Sequence, residues 1–277
     1  MELSSREQKI WNEIRHWENQ LAEQEVTDFQ FAFDKWLDRS FSQLSNKQQN
    51  EYFAKIDGWL FHLHAFIQSS QSQLDARNRI LSSARLFDET VEQIEDLRKL
   101  SIDQLIYIAE HQIARHRLYS FVQGSATGVG GFLFLAADFP LMIAINLKAV
   151  QVIATTYGYN VNRPYEMMLA LKVFHASILP IRMQHSALHD LLQEAKRSDD
   201  PFFYDGADEV IDSGSLLVLL KQSVKMFIIH SVRRKLIQGI PMIGIAVGSV
   251  VNYRLTRNVT EFTHRFYQMR YLLEKQV

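Results

Sequence analysis

Residues 124–147 read GSATGVGGFLFLAADFPLMIAINL, and this stretch decides how the rest of the chain is understood. It holds four glycines and three alanines ahead of its one ionisable residue, Asp138. A second run, LIQGIPMIGIAVGSVV, carries no charge over residues 236–251. Glycine inside a helix costs about 1 kcal/mol relative to alanine, so such clusters need a compensating contact. Gly124 and Gly128 lie four apart, as do Gly244 and Gly248. That spacing lines small residues along one helix face and lets two backbones approach closely. The expected fold is all-α, a multi-helix bundle with two glycine-containing apolar helical segments packed at its centre.

Working outward, Asp138 suits a helix N-cap and Pro140 the first turn, where a missing N–H is harmless. Two helical pieces joined at Ala137–Pro140 are expected, the second running to Tyr157 and stopping at Gly158. Asn162 and Pro164 open the next helix, and Pro180 kinks or ends it. Leu188, Leu191 and Leu192 mark another. The acidic stretch Ser198 to Ser215, punctuated by Pro201, Gly206 and Gly214, is the most loop-like. The chain closes in a helix carrying Phe262, Phe266, Met269 and Leu273.

Towards the N-terminus, amphipathic helices follow one another. Ser4 and Glu7 have capping-box spacing, as do Thr27 and Gln30, and Ser101 and Gln104. Ile10, Trp11, Ile14, Trp17 and Leu21 form a 3.6-residue stripe, and Trp36 and Trp59 lie on further faces. Such stripes face a core or dock a partner helix. Gln71 to Leu100 reads as one charged helix and a short break. Strict apolar–polar alternation is missing before residue 122, so strands are not expected there. Residues 1–100 read as an N-terminal amphipathic helical region and 101–277 as a second helical domain.

Membrane spanning fails on length. Residues 236–251 would rise only about 24 Å as a helix, short of a hydrocarbon core of about 30 Å. The first run is broken by Asp138 and Pro140. Two readings stay open: a buried core, or a shallow interfacial insertion. Arg115 and Arg117 precede the first run, and Arg233, Arg234, Lys235, Arg254 and Arg257 flank the second. Such clusters suit anionic headgroups. Asp138 would be a functional candidate in lipid, and Asn252 could satisfy a helix end or bond across the glycine contact.

Composition narrows the function classes. Hydrophobic residues at 47% and charged residues at 22% are ordinary for a globular chain. A net charge of −1 supplies no global field for nucleic acid, which is not expected as a partner. With no cysteine, disulfides, thiolate metal sites and cysteine nucleophiles are excluded. The opening MELSSREQKIWNEIRHW has no apolar signal region, so the expected compartment is the cytoplasm.

Catalytic patterns are weak. GSATGVGG lacks the lysine of a phosphate loop and follows a helix instead of a strand. IAEHQIARH resembles a zinc motif only superficially, and His62 and His64 face different sides of a helix. His185 and His189 share a helix face, but Asp190 points about 100° away from His189. Scattered histidines of this kind are more often surface or satisfied core residues. No metal or cofactor is expected, and an enzymatic role is not favoured.

The two runs also carry a resemblance. TGVGGFLFLAADFPLMIAINLKAVQVIATTYGYNVNRPYE, residues 127–166, resembles the central signature of the EcsC family, and IPMIGIAVGSVVNYRLTRNVTEFTHRFYQMR, residues 240–270, its C-terminal signature. The matching positions are Thr127, Gly128, Gly130, Gly131, Asp138, Pro140, Gly158, Pro164, Ile240, Pro241, Gly244, Gly248 and Asn252. The resemblance covers roughly residues 100 to 275 and brings no catalytic residues. It implies an accessory role near the membrane, since the family takes its name from a bacterial operon whose other products resemble ABC transporter subunits. The leading expectation is a non-enzymatic helical accessory protein, peripheral at the cytoplasmic membrane face, with membrane lipid or ABC transporter subunits as partners. The alternatives are a soluble interaction module with a buried core, and an unrecognised hydrolase or metal enzyme. If the glycine faces form a buried core, Gly128→Leu and Gly244→Leu should each lower the melting temperature by overpacking. Melts unchanged in both variants would remove the buried-core reading.

Overall fold

The computed structural model describes residues 3–23, 70–128, 131–179, 181–197 and 241–276. Its helices are α1 (Ser5–Glu23), α2 (Gln71–Ala84), α3 (Ile102–Gly128), α4 (Gly131–Thr156), α5 (Pro164–Ile178), α6 (Ile181–Arg197) and α7 (Pro241–Gln276), with a 3-10 helix at Ile94–Lys99. No strand occurs among the described residues. Thr27, Gln30, Trp36, Trp59, His62, His64, Gly130, Pro180, Arg233, Arg234, Lys235, Ile240 and the stretch from Ser198 to Ser215 lie outside them. For Gly124, Thr127, Gly128, Gly131, Asp138, Pro140, Pro241, Gly244 and Gly248 only the helical backbone is described.

The helix starts follow local chemistry. The Ser4 backbone N–H donates to Glu7 Oε2 at 2.8 Å, and the Glu7 N–H returns a bond to Ser4 Oγ at 3.3 Å. Ser101 and Gln104 repeat the exchange at the head of α3. Pro164 and Pro241 occupy the first positions of α5 and α7, where proline removes a donor that had no intrahelical acceptor. At the end of α4 the Gly158 N–H donates to Thr155 O, and the Tyr159 N–H to Ala154 O. This is the paired-bond stop that needs a left-handed residue, and Gly158 has φ 83°.

Two expectations are corrected. The break anticipated at Ala137–Pro140 does not occur. Helix α4 runs unbroken from Gly131 to Thr156, so Asp138 is not an N-cap and Pro140 sits inside the helix. The preceding helix is described as far as Gly128. A proline inside a helix costs about 3 kcal/mol, of the same order as the burial of one or two large side chains. Met142, Ile143 and Leu147, just beyond it, are all buried. The single helix expected over Gln71 to Leu100 also stops early, at Ala84. Asp88 there accepts from the Thr90 N–H and hydroxyl, and Asp96 from the N–H groups of Glu92 and Gln93. Such local side-chain bonds compete with the helical ladder.

Helices α3 and α7 form the central pair, and α4 packs on both. They run antiparallel: Ser120 meets Asn252, Arg117 meets Thr260, and the Tyr271 hydroxyl donates to Leu100 O. Helix α5 covers α7 and α4, α6 covers α5, and α1 lies across α6 and α7. On the other side α2 rests on α4 and α3. One apolar core joins Ile10 and Ile14 of α1, Leu105 and Ile108 of α3, Ile153 of α4, Phe174 of α5 and Phe262 and Phe266 of α7. Each such side chain contributes about 1.5–3 kcal/mol through burial. Trp17 meets Phe262 edge-on, so the N-terminal stripe does face the core.

Gly158 supplies a direct test. A Cβ there would lie 2.6 Å from Arg98 Cγ and 3.2 Å from the Arg98 backbone nitrogen, at a φ that side chains disfavour. Gly158→Ala should cost about 1–3 kcal/mol, read as a lower urea midpoint. A midpoint equal to that of the parent chain would contradict this account of the α4 stop.

Candidate functional site

Helix α3 has two faces whose character changes along its length. Leu105, Ile108, Ala109, Gln112, Ile113, His116 and Ser120 are buried, and their spacing puts them on one side of the helix. The first of these are apolar, while Gln112, His116 and Ser120 are polar. On the outer side lie Tyr107, His111, Ala114, Arg115, Leu118, Phe121 and Val122, all exposed. Leu118 is 59% exposed and Val122 57%, whereas Ser120 between them is 0% exposed. Over its second half α3 is therefore polar inward and apolar outward, the reverse of a surface helix in water.

The inward polar groups are held by α7. The Ser120 hydroxyl donates to Asn252 O at 2.8 Å and accepts from Thr256 Oγ1 at 2.7 Å. Thr260 Oγ1 donates to Thr256 O at 2.7 Å and accepts from Arg117 Nε at 3.0 Å. Hydroxyl bonds of this kind bind helices that meet without a large apolar contact. Asn252 thus joins α3 to α7 through its backbone carbonyl, and its buried Nδ2 makes no hydrogen bond.

The sequence-derived cations divide. Arg115, Arg254 and Arg257 are exposed, near the apolar residues Leu118 and Tyr253 on the same two helices. Arg117 turns inward onto Thr260, and burial lowers its pKa. Leu141, at the edge of the described side chains of α4, is also exposed.

A second buried polar centre lies where the far end of α7 meets α5. Arg270 grips Glu166 through two bonds of 2.7 Å and donates to Glu274 at 2.8 Å. Its guanidinium lies 3.8 Å from the centroid of the Tyr159 ring. Burial opposes the Arg270 charge, but Tyr159 and Glu166 hold its pKa above the ordinary value. This pair closes on itself, so the structure assigns it to holding α5 on α7. A cleft of about 500 Å³ opens between α1, α6 and α7, lined among others by Trp17, Leu21, Gln184 and Phe262. The Gln184 amide donates to Ser177 O and Leu179 O, which anchors the turn between α5 and α6.

His185 and His189 do not converge on an ion. His185 faces Glu18 at 3.8 Å, and His189 pairs with Gln193 on its own helix. Among the described residues no group of three or more potential ligands could hold a metal. Sequence reasoning did not single out Ser120, Thr256, Thr260, Glu166 or Arg270. The four-residue spacing of Asn252, Thr256 and Thr260 was the available signal.

Two histidines give the region a pH signature. Burial, reinforced by the charges of Lys148 and Arg79, pushes His116 down to about 3. Burial, with Arg265 and Arg117, does the same to His264. Both are neutral in the fold and ordinarily titrate near 6.5 when exposed. The unfolded chain therefore binds more protons below pH 6.5, and stability falls as the pH drops. Each histidine contributes a slope of about 1.4 kcal/mol per pH unit. Glu95, held low against the cost of burial by Asn160 and Arg163, starts to count only near its ordinary 4.5. Urea denaturation between pH 6.5 and 5 should show the decline, and His116→Gln should flatten it by about half. An identical slope in the variant would contradict the assignment.

The family pattern described as the EcsC protein family matches residues 8–272. The chain is 29% identical over 242 residues to the uncharacterized protein YdbA of Bacillus subtilis (strain 168), covering 86% of this chain and 85% of that one. It is 23% identical over 260 residues to protein EcsC of the same organism, covering 93% and 98%. No solved structure matches the chain.

Proposed function

The chain belongs to the EcsC protein family, and from that premise we propose that it is a non-enzymatic accessory protein held peripherally at the cytoplasmic face of a membrane. The observation that carries this reading is the reversal of α3, where Leu118, Phe121 and Val122 face outward and Ser120 inward. Apolar groups displayed beside cations fit the boundary between headgroups and acyl chains. Arg115 is exposed on the same stretch of α3, and Arg254 and Arg257 are exposed on the adjoining α7; each cation near an anionic surface contributes about 1 kcal/mol. No helix among the described residues is long and apolar enough to cross a membrane. Both glycine runs join this same region, since α3 leads into the first and the second opens α7. As protein partners we propose ABC transporter subunits, on the operon context that the family resemblance brings.

Flotation of the purified full chain tests the reading. The chain should rise with vesicles of phosphatidylcholine and phosphatidylglycerol at low salt, and less with phosphatidylcholine alone. Leu118→Glu combined with Val122→Glu should leave it in the soluble fraction without lowering its melting temperature. Arg254→Glu combined with Arg257→Glu should weaken binding and flatten its salt dependence. A parent chain that stays soluble at both low and high salt overturns the proposal and hands the apolar flank to a protein partner.

A further inference from the structure

We infer that the junction of α2 with α4 is a binding site for a phosphate group, held by Arg79, Lys148 and Ser72. The three residues come together through helix geometry. Ser72 lies in the first turn of α2 and Arg79 seven residues later, a spacing that puts both on one face. Lys148 reaches across from α4 and donates from Nζ to Ser72 Oγ. Arg79 Nε is buried and makes no hydrogen bond. Among the described residues neither cation forms an ion pair.

The arrangement is electrostatically incomplete as it stands. A helix N-terminus carries a partial positive charge and favours anions, yet the group placed there is a lysine. Arg79 and Lys148 are each partly buried; burial and then the charge of Arg79 lower the Lys148 pKa, against Asp75, which raises it. Asp75, on the same face of α2, accepts a bond from Gln71 at 3.0 Å. Among the described residues one engaged carboxylate therefore stands against two cations. Behind them His116 is buried and neutral, which adds a ring N–H without adding charge. Two cations, a hydroxyl and a helix N-terminus are the donor set that phosphate selects.

Position suggests where the phosphate comes from. The His116 ring meets Tyr119 edge-on, and Tyr119 is exposed beside Leu118 on the outward apolar flank of α3. A lipid headgroup and a soluble phosphate ester offer the same chemistry here. The site itself stands independently of the membrane reading, and only the lipid source rests on it.

Thermal unfolding of the full chain at constant ionic strength tests the site, with inorganic phosphate or glycerol phosphate replacing chloride. A saturable rise in melting temperature is expected. Arg79→Met and Lys148→Met should each weaken phosphate binding by about tenfold or more, with melting temperatures in chloride equal to or above the parent's. Arg79→Lys and Lys148→Arg should retain part of the rise and serve where a methionine variant does not fold. A parent chain that phosphate does not stabilise beyond chloride, or variants that keep the full rise, overturns the inference. Flotation with phosphatidic acid vesicles separates the sources. Loss of both flotation and the phosphate response in the methionine variants assigns a lipid headgroup. Loss of the phosphate response alone assigns a soluble ester. A phosphate response in a chain that never floats leaves this site standing and removes the membrane reading.

Discussion

The hydroxyl of Ser120 sits between Thr256 and the carbonyl of Asn252, and the architecture depends on the contact it makes. Helices α3 and α7 are the two longest of the described helices, α4 is nearly as long as α3, and these helices are arranged around the antiparallel pair of α3 and α7. At one end the pair is joined by apolar packing of Leu105 and Ile108 with Phe266 and its neighbours. At the other end hydrogen bonds replace much of that packing. An unpaired buried hydroxyl costs about 1–3 kcal/mol, so Ser120 and Thr256 are favourable only when they meet each other. The register of α3 on α7 is specified accordingly, because a shift along either helix would strand both groups.

That division of labour explains why the outer flank of α3 can be apolar. An ordinary surface helix places its apolar stripe against the core and its polar groups in water. Here the inner positions of the second half are occupied by Gln112, His116 and Ser120, and the large apolar residues face out. The first half keeps the usual arrangement and is anchored by α4, α7 and α1 through the shared core. The helix is therefore held by apolar packing in its first half and by hydrogen bonds in its second, and the outer flank of the second half is exposed. The buried ion pair of Arg270 with Glu166 belongs to the apolar end of the pair. Its two short bonds and the Tyr159 ring compensate for taking both charges out of water, which would otherwise be strongly unfavourable.

The charges around α2 follow the opposite logic. Arg270 and Glu166 satisfy each other, whereas among the described residues Arg79 and Lys148 form no ion pair and Asp75 is engaged by Gln71. Folding energy alone gives no reason to hold Lys148 beside the positive end of a helix with a second cation, Arg79, on the same face. Neutral His116 behind them limits the repulsion, at the cost of stability below pH 6.5. Stability at the apolar end and exposed chemistry on the opposite flank thus come from one set of helices.

What the sequence determined by itself was much of what near neighbours govern, though not the local bonds of Asp88 and Asp96 that stop α2 early. Ser4 with Glu7, and Ser101 with Gln104, start helices because three residues bring their side chains to each other's backbone. Pro164 opens a helix and Gly158 closes one for reasons of local dihedral geometry. The all-helical class was readable from spacing along the chain, and the family from the resemblance of two segments to its signatures. The tertiary structure decided what lay far apart in sequence. Proline at position 140 was read as a break because propensity disfavours it inside a helix, but the helix continues to the buried Leu147 and beyond. Ser120 and Thr256 are separated by 136 positions, and neither residue type announces a partner at that distance. The outward turn of Leu118 and the meeting of Lys148 with Ser72 were hidden for the same reason. A periodic pattern shows that a helix has two faces, and only packing against other helices settles which of them is buried.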